Sequence, residues 1–97
     1  MTNQDYVDIA YERKEEILHL YSQYKGKHPV MLYDLHEDMV YACPYKEFKS
    51  TLSKQSQDLL TKQYKAASAA KEAVVFIRDN KAEKLISFTV DLEDNYV

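Results

Sequence analysis

Apolar and polar positions run twice through one order of elements: a charged amphipathic helix, then two short apolar runs flanking a polar turn. Residues 5–45 read as helix, Val30–Leu35, turn and Met39–Cys43; residues 46–92 read as helix, Ala73–Ile77, turn and Leu85–Leu92. Helical spacing gathers Val7, Ala10, Ile17, Leu18, Tyr21 and Tyr24 on one side of the first segment, with Glu12, Glu15 and Glu16 opposite. Lys14 falls inside the apolar stripe and can lay its methylene stem along it. Asn3 or Asp5 suits the N-cap, and Gly26, with Lys25 and Lys27 around it and Pro29 beyond, marks the end. The pattern predicts a helix over about 5–25.

Val30–Leu35 is apolar on both faces of a strand, which calls for neighbours or cover on each side. His36, Glu37 and Asp38 supply the turn, and Met39–Cys43 returns, so residues 30–43 are expected to form an antiparallel hairpin. A three-residue turn would place Tyr33 opposite Tyr41 on one face. Pro44 fits the first turn of a second helix, expected over about 45–71 with Tyr45, Phe48, Leu52, Leu59, Ala66 and Ala70 on its buried stripe. Residues 50–56 are rich in Ser, Thr and Gln that compete for backbone hydrogen bonds, so a break recapped by Ser53 stays open as an alternative. The last hairpin spans 73–92, with Ile86, Phe88, Val90 and Leu92 inward and Ser87, Thr89 and Asp91 outward. Residues 93–97 form an acidic tail expected to fray.

These elements predict a single α+β domain over 1–97: two consecutive α-β-β units forming a four-stranded, mostly antiparallel sheet with two helices packed on one face. The two halves match as a pattern. Sliding one over the other by about 44 residues aligns Val30 with Val74 and almost no other identities.

Composition narrows the class. Hydrophobic residues at 45% and charged residues at 30% fit a globular domain. One glycine leaves no room for a phosphate-binding loop. A lone cysteine, Cys43, cannot form an internal disulfide, the N-terminus lacks a signal-peptide pattern, and no apolar run nears bilayer length; the expected location is the cytoplasm, with no membrane association. Net charge is −3, yet residues 45–72 carry six basic and three acidic groups between acidic flanks.

No catalytic constellation is legible, so the chain is not expected to be an enzyme and no cofactor is expected. Asp34, His36 and Asp38 lie close together, but their spacing matches no strong metal signature, and they read as a solvated turn. Cys43 at a helix N-terminus has no neighbouring histidine to activate it and reads as a small buried residue.

Tyrosine stands out, with nine against three Phe and no Trp. Its apolar body and hydroxyl suit surfaces buried on association. If both helices take one face, the other exposes tyrosines and aliphatic residues. The expected function is therefore a small non-enzymatic interaction or regulatory module, a homodimer or a binder of another protein, contacting its partner through Tyr24, Tyr33, Leu35 and Tyr41. The alternative is nucleic-acid binding through the second helix, using Lys46, Lys49, Lys54, Lys62 and Lys65.

Overall fold

A computed structural model of the chain describes residues 1–26 and 29–92. Lys27, His28 and the tail expected at 93–97 lie outside the described residues. Four helices and four strands follow in the order α1 (Asn3–Tyr11), α2 (Lys14–Gln23), β1 (Val30–Asp34), β2 (Met39–Cys43), α3 (Tyr45–Ser50), α4 (Lys54–Ala70), β3 (Glu72–Asp79) and β4 (Lys84–Asp91).

Thr2, rather than Asn3 or Asp5, caps the first helix. Its hydroxyl accepts from the Asp5 N–H while the Asp5 carboxylate accepts from the Thr2 N–H, a reciprocal box that satisfies two end donors. The expected single helix over 5–25 is broken at Glu12–Arg13, where the Arg13 N–H bonds back three residues to the Ala10 carbonyl. Neither Gly nor Pro marks this break. It turns the Arg13 guanidinium onto Asp38 of the first hairpin and onto Glu16. The second helix divides as well, and Ser53 caps α4 by accepting from the Ser56 N–H.

Breaking the second helix resets its phase. Leu59, Ala66 and Ala70, expected on the buried stripe, are exposed, and Leu60 and Ala67 are buried instead. A stripe traced through an unbroken helix from Tyr45 comes out one residue early.

The sheet order is β2-β1-β3-β4. Its outer pairs are antiparallel, but β1 and β3 run parallel at the centre, from Met31 beside Val75 to Asp34 beside Arg78. The sheet is mixed, with two antiparallel pairs around one parallel pair, because α3 and α4 carry the chain from edge strand β2 back to a central position beside β1.

Alternate residues of β1 enter different cores. Met31 and Tyr33 pack with Tyr6, Ala10, Ile17 and Leu18 of α1 and α2, together with Val75 and Ile77. Val30 and Leu32 pack with Phe48, Leu60 and Ala67 of α3 and α4, together with Val74 and Phe76. Successive strand residues point to opposite faces, so the helices do not share one face. β1 is buried at all five positions; a strand apolar on both sides needs cover on both.

The two hairpins turn alike. Each leaves a buried aspartate, Asp34 or Asp79, and each has a residue in the left-handed region just before the return strand: Asp38 (φ 54°) and Glu83 (φ 53°).

Candidate functional site

Because β1 and β3 are parallel, both deliver the chain to the same end of the sheet. There each closes on an aspartate, and these are the only buried charged residues among those described. A buried carboxylate is costly unless hydrogen-bonded and paired, so the surroundings of Asp34 and Asp79 organise this end of the molecule.

Asp34 lies on the α3/α4 side, one strand step beyond Leu32. Its Oδ1 accepts from the His36 and Glu37 backbone N–H groups, both at 3.0 Å. Its Oδ2 accepts from Arg78 Nε at 3.0 Å and Nη2 at 2.8 Å. The Glu37 N–H first, and then Arg78, hold its carboxyl below the usual range, against the opposing effect of burial.

Asp79 lies on the α1/α2 side. It accepts from the Tyr6 hydroxyl at 2.6 Å and the Ala82 N–H at 3.1 Å, with His36 Nε2 at 2.7 Å. The Tyr6 hydroxyl, followed by His36, holds this carboxyl well below the ordinary range, and Tyr6 is raised in return. Each hairpin thus supplies a side chain to the other's aspartate: Arg78 to Asp34, and His36 to Asp79.

Asp34, His36 and Asp38, adjacent in sequence, have separate partners in the fold. Asp38 accepts from the Tyr33 hydroxyl at 2.7 Å and pairs with Arg13. Among the described residues, no group of three or more His, Cys, Asp or Glu could hold a metal ion.

Arg78 also lines a surface cleft. On the α3/α4 side, α3 and the first hairpin border a cleft of about 430 Å³ lined by Leu32, Tyr41, Cys43, Glu47 and Phe48. A second cleft of about 370 Å³ shares Leu32, Phe48, Thr51 and Arg78 with it and continues toward Lys84 and Leu85. The Arg78 side chain is 42% exposed, while its Asp34 anchor is only 1% exposed. The result is a guanidinium fixed from behind, beside the apolar side chains of Leu32 and Phe48 and within a rim that also carries Glu37, Glu47 and Glu83.

Cys43 borders the groove without being a nucleophile poised for attack, because burial pushes its thiol up. Its reaction with a thiol reagent is therefore expected to be slower in the folded than in the urea-unfolded chain at neutral pH. The folded-state rate should climb with pH and level off only above the pH at which the unfolded chain's rate levels off. An unfolded-like rate at pH 7 would contradict this.

The four expected contact residues do not form one surface. The hairpin turn contains four residues, so Tyr33 pairs with Val40 and Tyr41 with Leu32. One residue of register moves a side chain to the other face, and Tyr33 and Tyr41 lie on opposite sides of the sheet. Tyr33 is 2% exposed, in the core under α1 and α2; burial first, then its bond to Asp38, pushes its hydroxyl up to about 12. Leu35 is half-buried against that same core. Tyr24 is half-buried at the end of α2. Only Tyr41 belongs to the groove, its hydroxyl 3.3 Å from Glu37.

The lysines are also divided. Lys54, Lys62 and Lys65 are exposed on α4. Lys46 is exposed on the separate α3, where Lys49 is half-buried with its ammonium 5.7 Å from the centre of the Tyr45 ring.

Sequence reasoning missed Asp34, Arg78, Phe48 and Thr51 as one site. The available signal was the pair of aspartates at the ends of apolar runs, Asp34 directly after Tyr33 and Asp79 one residue beyond Ile77, with Arg78 between. No protein-family model matches the chain, and neither a curated protein nor a solved structure is significantly similar to it.

Proposed function

We propose that this chain is a small non-enzymatic interaction module that holds a short extended peptide in the groove beside α3. The bound segment carries a carboxylate, on a side chain or at its C-terminus, next to an apolar side chain. The observation that carries this reading is the exposed Arg78 guanidinium, anchored by buried Asp34 among Leu32, Phe48 and Thr51. Leu32 and Phe48 supply apolar contact, Arg78 recognises the carboxylate, and Glu37, Glu47 and Glu83 at the rim disfavour a polyanion.

Thr51 is exposed and lines both halves of the groove, so Thr51→Trp fills it without entering either core. Screening a displayed peptide library against the wild type is expected to enrich an acidic–apolar motif. A synthetic peptide with that motif should bind Thr51→Trp at least about tenfold more weakly, a loss of ~1.4 kcal/mol. No enrichment over background, or equal binding to the variant, would sink the idea.

Nucleic-acid binding is the second reading, supported by the common exposure of Lys54, Lys62 and Lys65 on α4, although Asp58 is exposed on the same helix. Its expected sign is an affinity for DNA or RNA that falls steeply with added salt.

A further inference from the structure

β4 is an outer strand of the sheet, and among the described residues nothing pairs with its far edge. The direction of its backbone groups follows from one bond. The Leu92 N–H donates to the Lys71 carbonyl at 3.1 Å, one step beyond the Glu72–Asp91 pair. Bonded and non-bonded pairs alternate along an antiparallel ladder. Lys84, Ile86, Phe88 and Val90 therefore bond to β3, while Leu85, Ser87, Thr89 and Asp91 turn their N–H and C=O groups outward.

Natural sheets guard such edges with charge, proline, bulges or shortness. The other edge, β2, has five residues and stops at Pro44. β4 has eight residues and an unbroken register with β3 from Lys84 to Asp91. Between those two charges lie six uncharged residues with no Gly or Pro.

The middle of β4 is also self-complementary. Ile86-Ser87-Phe88-Thr89-Val90 reads alike in both directions: β-branched, hydroxyl, aromatic, hydroxyl, β-branched. A two-fold interface requires a surface that matches itself. The end charges, Lys84 and Asp91, are opposite in sign and stand on opposite faces of the strand, so antiparallel pairing of two copies sets no like charges against each other.

We infer that β4 pairs antiparallel with β4 of a second copy, about a two-fold axis at Phe88, to give one continuous eight-stranded sheet. Ser87 then exchanges backbone hydrogen bonds with Thr89 of the partner subunit, and Ile86 lies opposite Val90 of the partner subunit. The two Phe88 side chains meet at the axis. Hydroxyl and β-branched pairs of this kind are favourable across strands, and edge pairing of this type is a common route to association.

Light scattering on the full chain as it elutes from a sizing column is expected to give twice the 11.4 kDa chain mass. Ser87→Pro deletes a central outward N–H but no bond to β3, so it is tolerated where a central-strand proline is not. It should elute at the single-chain mass with an unchanged far-ultraviolet circular dichroism spectrum. Thr89→Lys places a charge at the junction from an exposed position and should weaken dimerisation by about tenfold or more; it decides the matter if the proline variant unfolds. A monomeric wild type would overturn the assignment, as would a dimer that survives Thr89→Lys unchanged.

Discussion

Leu60→Ala and Ile17→Ala are each expected to lower the unfolding free energy by about 3 kcal/mol, whereas Leu59→Ala should change it by no more than about 0.5 kcal/mol. Leu60 and Ile17 are fully buried, on α4 and α2 respectively, and each leaves a cavity when truncated. Leu59 adjoins Leu60 in sequence but is 53% exposed. A domain of this length has a total stability of roughly 5–15 kcal/mol, so either core substitution removes a large fraction of it. Its midpoint of thermal unfolding should fall by roughly 12–24 °C. Urea titrations of the three variants measure the effect directly. Comparable losses at Ile17 and Leu60 would establish that both faces of the sheet are load-sharing cores. A small effect at Ile17 would mean that α1 and α2 cover the sheet only loosely.

That comparison also isolates what the sequence left undetermined. Helical and strand periods were legible, and so were both hairpins and the Pro44 helix start, while the break recapped by Ser53 stood only as an alternative to one helix over about 45–71. Phase was not. The break at Glu12–Arg13 carries no Gly or Pro, and the one at residues 51–53 moves the buried stripe of α4 from Leu59 to Leu60. At the first turn, counting Leu35 as strand rather than turn shifted the register by one and put Tyr33 and Tyr41 on the same face. The tyrosine surface rested on that single residue. The correct signal was nonetheless present in β1, whose apolar residues face both ways and so demanded a cover on each side. Central parallel pairing was not legible, because it depends on where α3 and α4 return the chain. Without it, Asp34 and Arg78, 44 residues apart, had no visible reason to meet.

Arg78→Met is expected to destabilise the protein by about 2 kcal/mol at pH 7. This is less than the roughly 3–5 kcal/mol for breaking a fully buried pair, because solvent screens the exposed part of the guanidinium. The loss arises from leaving the Asp34 carboxylate buried with two backbone donors and no cation. Asp34→Asn in the same background removes the stranded charge, so the double variant should be more stable than the sum of the single losses implies. Acid gives an independent check. The carboxyls of Asp34 and Asp79 are both depressed in the folded chain, whereas an unfolded aspartate titrates near ~3.9. Their stabilisation is therefore complete above that pH and is lost as pH falls from there through the folded values. Arg78→Met should reduce this acid dependence, because Asp34 then titrates closer to its unfolded value. Urea midpoints measured from pH 7 down to pH 3 test both statements, and a variant with wild-type stability and slope would refute the pairing. A folded Asp34→Asn, Arg78→Met chain would then separate stability from recognition: it keeps the groove but lacks the guanidinium. Its expected loss of peptide binding would place that loss in the missing contact to the carboxylate, not in a collapsed fold.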